Sequence, residues 1–576
     1  MRAIDRLLRN RPVPKAGLSL AGKIKALFSN GEQGWWYDPS NFATLFQDSA
    51  GTTPVTAVEQ PVGLQLDLSK GLVLGPELVV NGDFSNGTTG WTAQGSVISV
   101  VGDKLQVVVS VTSGYAWQEL TTVAGKRYKC SVSITSVSGS TAAISVGTSF
   151  SDVSLFTQTS IAEGVFTFTF VATTTTSFIL LQPWTNGTGR TTQFDNVAVK
   201  ELPGNHRFQT TSANCPVVSV RVNLLTKTED FSDAVWTKNN VTVTANSGVA
   251  PNGTNTATLL TDNATSGEHR VFQSLATAGL YSRGVYAKAG TANFISLTSG
   301  TVVSGYAVFD LSSGTVVSQS NAIGSIISVG NGWYWCSTNG APLGQNHVIN
   351  MGTTATNAIP TNTYVGSGST VFIWGADLRP TNQGIGLPAY QRVNTSTDYD
   401  STGFPVYIKP NGSNQFMQTN SINFSATDKM TVWQGVRKLT DGMAFEVSAI
   451  VSGNSGTFYM FPFSDAKYYY GSNGTSFVQV SSSAITPPRT NTLTGISNIS
   501  GDVVTLRVDG VQVATSSADQ GTGNYGNYPV YFYSRAGSTL FLNGHDYGSI
   551  ARGAASTAAQ ITAGETYINS KTRAFA

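Results

Sequence analysis

Two stretches of this chain repeat one another, and that repeat limits the possible folds more than any other feature of the sequence. Leu78, Asp83-Phe84-Ser85 and Trp91-Thr92 return as Leu225, Asp230-Phe231-Ser232 and Trp236-Thr237, so the copies begin 147 residues apart (78 to 225). Each copy closes on a similar segment, Phe194-Asp195-Asn196-Val197-Ala198-Val199 in one and Ile373-Trp374-Gly375-Ala376-Asp377-Leu378 in the other. Between these ends lie alternating segments such as Lys104–Val111, Tyr128–Ile134, Val165–Val171 and Gly284–Lys288, broken by Gly, Ser, Asn and Thr turns. The pattern predicts two antiparallel β-sandwiches with Trp91 and Trp236 in equivalent core positions.

Composition points the same way. Only 11% of the 576 residues are charged, against a usual value of about 25%, while 40% are apolar and 10% aromatic. Ser, Thr, Asn and Val take the places that Glu, Lys and Ala hold in helical proteins, which makes the chain all-β. At roughly 150 residues per domain the length calls for about four units. The net charge of +2, from 34 basic and 32 acidic residues, excludes recruitment to nucleic acid by bulk charge. Membrane insertion is not expected, because no apolar run reaches spanning length, and Lys23 and Lys25 interrupt the only N-terminal run that could serve as a signal. Cys130, Cys215 and Cys336 are scattered and odd in number, so they read as free thiols of a protein assembled in a reducing cytoplasm.

Residues 1–30 hold Arg2, Arg6, Arg9, Arg11, Lys15, Lys23 and Lys25 against one acid, Asp5. Ile4, Leu7 and Leu8, then Leu20, Ile24, Leu27 and Phe28, follow helical spacing on either side of Pro12 and Pro14. One reading is a disordered basic tail. The other is a docking peptide that folds on a larger partner through Arg2, Ile4, Leu7, Leu8, Ile24, Leu27 and Phe28.

Residues 396–576 predict a third sandwich, with alternation over Thr431–Arg437, Val503–Val508 and Pro529–Ser534. Asp509-Gly510, between Leu506-Arg507-Val508 and Val511-Gln512-Val513, is a strong hairpin signal, and Thr557 with Gln560 reads as a capping box. The expected order is a docking segment 1–30, an attachment segment 31–75, sandwiches 76–202 and 223–395 joined by a connector 203–222, and the sandwich 396–576.

Three resemblances add to this reading. Trp36-Tyr37-Asp38-Pro39, Phe46-Gln47-Asp48 and the Ala50-Gly51-Thr52-Thr53-Pro54-Val55 run resemble a segment found near the start of tailed-bacteriophage structural proteins, which implies a virion protein. Asn81-Gly82-Asp83-Phe84-Ser85 with Gly90-Trp91, and the closing Phe194-Asp195-Asn196-Val197, resemble the galactose-binding-like jelly rolls of non-catalytic carbohydrate-binding modules. The second copy, with Asn223-Leu224-Leu225, Phe231, Trp236-Thr237 and Asn331-Gly332-Trp333-Tyr334, is similar to phage-fibre relatives of those modules. Leu506-Arg507-Val508-Asp509-Gly510-Val511 and Phe541-Leu542-Asn543-Gly544 resemble the concanavalin A-like, laminin-G type lectin sandwiches. The jelly-roll likeness implies a structural calcium between Asp83 and Asp195, although Ser85 stands where such modules carry Glu. Turn and strand-end polarity account for the same two aspartates, and Trp374 at the position of Asp195 leaves the second copy no twin site.

Hydrolysis of a glycan needs two carboxylates about 5–10 Å apart. No strand presents such a pair: Glu446, Asp465 and Asp502 fall in different segments, and Glu229, Asp230 and Asp233 sit in a repeat opening. His206, His269, His347 and His545 match no metal or triad motif, so the chain is not expected to be an enzyme and requires no cofactor. Sugar binding needs exposed aromatic rings with amides and hydroxyls at the rim. The candidates are Tyr525 and Tyr528 in a Gly/Asn loop, Tyr468 and Tyr470, Trp184 in a Pro-Trp-Thr-Asn-Gly segment, and Tyr115 with Trp117. Trp333 and Trp335 alternate with Tyr334, which puts at least one of the two faces in a core.

The expectation is a phage virion protein that docks on other virion proteins through its N-terminus and projects three sandwiches, as a tail fibre or fibre-like appendage, toward host-surface polysaccharide. By analogy with fibres it would be a trimer. A capsid or baseplate decoration without glycan binding is the alternative, and a depolymerising tailspike the less favoured one.

Overall fold

In the computed structural model, which describes residues 18–137, 140–184, 187–300, 305–380, 390–439, 448–449, 454–462 and 465–574, the first copy of the repeat is a sandwich of two five-stranded sheets, the second is one ten-stranded sheet folded around its own core, and both are inserted into a further sandwich. The protein is all-β, built from antiparallel sheets.

The host sandwich gathers strands from the whole chain. One of its sheets runs Val217–Ser219, Tyr407–Lys409, Gly544–Arg552, Lys429–Lys438, Arg489–Asn498, Val503–Val508, Val511–Ser516. Gly34–Tyr37 joins this sheet beside the last long strand, with Trp35 opposite Ala551 and Trp36 opposite Ile550. The facing sheet runs Leu45–Phe46, Leu64–Gln65, Arg207–Phe208, Met417–Thr419, Val530–Phe532, Ser448–Ala449. Trp35, Tyr37, Leu45, Val62 and Val218 share one core with Met417, Val432, Leu493, Leu506 and Ala551. Segments 31–75 and 203–222 are therefore neither an attachment arm nor a connector; each supplies strands to the C-terminal sandwich.

The residues that carry the phage-like resemblance act inside this chain. Trp36 lies edge-on to Tyr567 at 5.5 Å, and the Asp38 carboxylate accepts hydrogen bonds from Tyr567 Oη and Lys571 Nζ, both at 2.8 Å. Asp48 caps its own loop through the N–H groups of Ala50, Thr52 and Thr53, and that loop receives the first insert: Arg127 Nη1 donates to Ser49 O at 2.9 Å and Thr169 N to Ala50 O at 2.5 Å.

Two helices cover the outer face of the long sheet. Helix α1, Leu20–Ala26, starts at Ser19, whose hydroxyl accepts from Gly22 N. Helix α2, Ala558–Thr572, starts on the expected capping box, with Gln560 N donating to Thr557 Oγ1 and Thr557 N to Gln560 Oε1. Ile24, Leu27 and Phe28 pack with Trp36, Trp433, Ile550, Tyr567 and Ile568, and Arg552 Nε donates to Leu27 O at 2.8 Å. Burial in this cluster removes Ile24, Leu27 and Phe28 from the docking role the sequence suggested, because their apolar stripe has a partner in the same chain. Arg2, Ile4, Leu7 and Leu8 lie outside the described residues.

The inserts repeat each other in detail. Gln118 holds Val80 by both its backbone N–H and its carbonyl, and Gln273 holds Thr226 in the same way. This clamp makes Val79 rather than Leu78 the counterpart of Leu225. Trp91 and Trp236 are buried, their indole N–H groups donating to the carbonyls of Asn81 and Lys227. Each closing strand bulges at a left-handed residue, Asn196 (φ 49°) and Gly375 (φ 62°), a geometry open to both residue types. Asp509 (φ 51°) and Gly510 (φ 78°) form the expected hairpin turn, with Val508 opposite Val511. Cys130, Cys215 and Cys336 are free and buried, and no helix among the described residues is long and apolar enough to cross a membrane.

Candidate functional site

The first insert leaves one sheet face open. The sheet runs Phe156–Ile161, Thr141–Gly147, Thr176–Trp184, Tyr115–Thr121, Thr92–Gln94, among the described residues. Strand alternation sends Ala116, Leu120, Ile179 and Leu181 into the core and leaves Tyr115, Trp117, Phe178, Gln182 and Trp184 on the outer side, each half-buried. Trp117 stands opposite both Thr92 and Leu180, and Tyr115 opposite Gln94. The next strand contributes only Thr141, Ala143, Ser145 and Gly147 to this side, small residues of which the last three are buried.

A loop completes the row. Asp152 accepts hydrogen bonds from the N–H and hydroxyl of both Thr148 and Ser154, and these bonds hold its carboxyl well below the usual carboxylate range. A Cβ at Gly147 would lie 2.0 Å from Asp152 O, so only glycine lets the loop pass that close. The loop carries Phe150, 44% exposed, onto Trp117 with ring centroids 5.6 Å apart and nearly parallel. Phe178 tilts against the same indole at 5.6 Å. Burial raises the Tyr115 phenol above its ordinary range. The face thus offers apolar ring surfaces, the amides of Gln94 and Gln182, the hydroxyls of Thr92 and Thr141, the carboxylate of Glu119 on the sheet and that of Asp152 in the loop.

The second insert closes the corresponding face with its own chain. Phe272, opposite Thr237 and Val348, takes the position of Trp117. Beyond it, Phe294, Tyr306 and Val308 are covered by Ala358 and Ile359, and Ser296 Oγ donates to Ala358 O at 2.5 Å. Trp333 sits in a small separate core with Trp374 and Ala257, while Tyr334 borders the main core.

Of the seven aromatic residues that the sequence offers for glycan contact, the structure brings three together: Tyr115, Trp117 and Trp184. Tyr468, Tyr470 and Tyr525 are core residues of the host sandwich instead. Tyr525 is 1% exposed, with its hydroxyl bonded to those of Ser472 and Ser497, and Tyr470 reaches the same Ser497 hydroxyl. Tyr468 donates to Asn491 Oδ1 at 3.0 Å. Tyr528 is half-buried and alone, donating to Ser455 O. Sequence reasoning missed Phe150 and Phe178; only the alternation of Phe178 with Ile179 could have marked one of them.

Asp83 accepts from the N–H and hydroxyl of Ser85, and Asp195 from the N–H and side-chain amide of Asn196. Both carboxylates thus serve their own turns, and no three His, Cys, Asp or Glu side chains among the described residues converge on a metal position. Glu229 accepts from Tyr390 Oη, Asp465 from Tyr469 Oη and Asp502 from Gln520 N; Glu446 lies outside the described residues. The four histidines are all buried.

No protein family matches the chain, and no curated protein matches its sequence. Among solved structures, it is similar to the CBM40 of Ruminococcus gnavus IT-sialidase bound to α2,3-sialyllactose, at 13% identity over 25% of this chain and 96% of that one, with a TM-score of 0.21. It is also similar to the NanB sialidase from Streptococcus pneumoniae, at 13% identity and a TM-score of 0.20, over 25% of this chain and only 26% of that one. Domains LG4-5 of the mouse laminin α1 chain match at 12% identity over 50% of this chain and 85% of theirs, with a TM-score of 0.20. Superpositions this loose assign no function.

Proposed function

We propose that this chain is a non-catalytic glycan-binding protein of a bacteriophage virion, a tail fibre or fibre-like appendage that meets host-surface polysaccharide through the open face of its first insert. The observation that carries the binding role is the row formed by Tyr115, Trp117 and Trp184 on the outer side of one sheet, with Phe150 and Phe178 against Trp117. Rings in such a row stack on the apolar faces of sugars, while neighbouring amides and hydroxyls hold the sugar hydroxyls. The virion assignment is supported by the phage-like segment from Trp36 to Val55, and a trimer is adopted by analogy with fibres.

The purified full-length protein should bind host cells or their extracted polysaccharide, and Trp117→Ala should weaken that binding about tenfold, the scale of a lost aromatic anchor. The melting temperature should change little, because Trp117 lies outside the core. Absence of binding by the unaltered protein, or full binding by Trp117→Ala, would remove the glycan reading. The virion assignment is tested separately, by locating the chain in purified particles with antibody-labelled electron microscopy.

A further inference from the structure

We infer that this face takes the interior of an extended, uncharged glycan chain rather than a terminal or acidic sugar. The inference rests on the glycan-binding reading above and adds the class of ligand.

Length is the first argument. On one strand, Phe178, Leu180, Gln182 and Trp184 all point outward, six residues from first to last, which at about 3.4 Å per residue spans roughly 20 Å. Tyr115 and Trp117 lie on the neighbouring strand within that span. Rings spread along such a line present successive stacking surfaces, whereas a single terminal sugar calls for rings gathered around one pocket.

Charge is the second argument. Sialic acids, uronic acids and phosphorylated sugars are held by arginine or lysine. None of the described outward-facing strand residues of this sheet is Lys, Arg or His. Its one acidic strand residue is Glu119, exposed and directly opposite Phe178, and the adjoining loop adds Asp152, so the face carries acidic groups that disfavour an acidic polymer. Gln94 and Gln182 flank Tyr115 with both donors and acceptors, the equipment for neutral hydroxyls.

Calorimetry on the full-length protein tests this with dextran, mannan, xylan and galactan against polysialic acid and polygalacturonate, and with mono- to hexasaccharides of any neutral polymer that binds. The expected result is binding to at least one neutral polymer, affinity that rises about tenfold or more from mono- to hexasaccharide, and little dependence on salt. Trp184→Ala should weaken the hexasaccharide more than the disaccharide, and Glu119→Lys should create salt-sensitive binding of the acidic polymers. Preference of the unaltered protein for an acidic polymer, or equal affinity for monosaccharide and polymer, overturns the inference and leaves glycan binding standing. Failure to bind any of the probes or host polysaccharide overturns both.

Discussion

Arg207 and Asp546, 339 residues apart, form an ion pair of 2.8 Å in which neither side chain is exposed, and it crosses the core from one sheet of the host sandwich to the other. Gln65 Oε1 accepts from Arg207 Nε and Nη2, Tyr533 and Gln434 donate to the Asp546 carboxylate, and the guanidinium lies 4.6 Å from the Tyr37 ring centre. The pair thus ties three distant segments, Leu64–Gln65, Arg207–Phe208 and Gly544–Arg552, at one point.

Removing one partner leaves the other charge buried without compensation. Asp546→Ala is expected to destabilise the host sandwich by about 3–5 kcal/mol, and the double change Arg207→Met with Asp546→Leu to recover much of that loss. The urea midpoint and hydrogen exchange of Gly544–Arg552 measure both. A single change that costs under about 1 kcal/mol would show that water or a rearranged partner neutralises the guanidinium.

Acid should act through buried histidines. Burial, helped by Arg127, pushes His206 down to about 3, and its Nδ1 accepts from Asp67 N at 2.9 Å, which requires the neutral ring. Burial, helped by Arg283, pushes His347 down to about 3 as well. A folded-state value below the unfolded value of about 6.5 means that the unfolded chain binds more protons under pH 6.5, so this contribution to stability is present above 6.5 and is lost as pH falls toward 3. Each histidine contributes a slope of up to about 1.4 kcal/mol per pH unit in that window. Comparing His347→Leu with the unaltered protein between pH 4.5 and 7.5 isolates one such slope from the many carboxylates. Parallel stability curves for the two proteins would mean that His347 is charged or exposed in the folded state.

The helix pair makes a prediction opposite to the one its sequence suggests. Ile568 is fully buried against Ile24, Leu27 and Trp433, so Ile568→Ala should cost about 2–5 kcal/mol. Deleting residues 1–30 should lower the melting temperature, because it uncovers Trp433 and Ile550 on the outer face of the long sheet. A free docking peptide would leave the melting temperature unchanged, and thermal scans of the truncated chain decide between the two.

Sequence periodicity reveals the two inserts because their strands are long and doubled: Tyr115–Thr121 and Arg127–Val137 each carry several alternating positions and pair with strands of the same insert, and the Asp-Phe-Ser and Trp-Thr anchors recur. The host sandwich is illegible for the converse reason. Leu45–Phe46, Leu64–Gln65 and Arg207–Phe208 are two-residue strands with no period to detect, and Gly34–Tyr37 pairs with residues more than 500 positions away. The tyrosines show a finer limit. Tyr468 and Tyr470 share a strand face, as their spacing requires, but only the position of the facing strands makes that face the core. Tyr525 is drawn inward by the hydroxyls of Ser472 and Ser497, groups far from it in sequence. Trp117 and Trp184 could be read as candidates, yet their union on one face depends on the pairing of Leu180 with Trp117.

Nested insertion predicts that the first insert is separable. The chain enters and leaves it at adjacent points: Gly75 N donates to Glu201 O at 2.9 Å, and Glu77 bridges Lys200. Its buried core runs from Val79 to Val199 and takes no residue from the host. What joins the two is the Ser49-Ala50 contact with Arg127 and Thr169, the Arg127 guanidinium over Phe208 at 5.4 Å, the bond from Asn420 Nδ2 to Gly125 O, and Leu202, which packs with Leu64 and Leu66 of the host; the hydrogen bonds are worth about 1 kcal/mol each. Residues 75–202 expressed alone should therefore fold cooperatively and keep the glycan affinity of the full chain. The host, with 75–202 replaced by a short Gly/Ser link, should keep its own thermal transition and lose that affinity. Circular dichroism and calorimetry on the two products settle the matter: an excised fragment that stays unfolded would show that the host sheet is required for the insert's core, while a folded fragment without affinity would place the glycan site elsewhere in the chain.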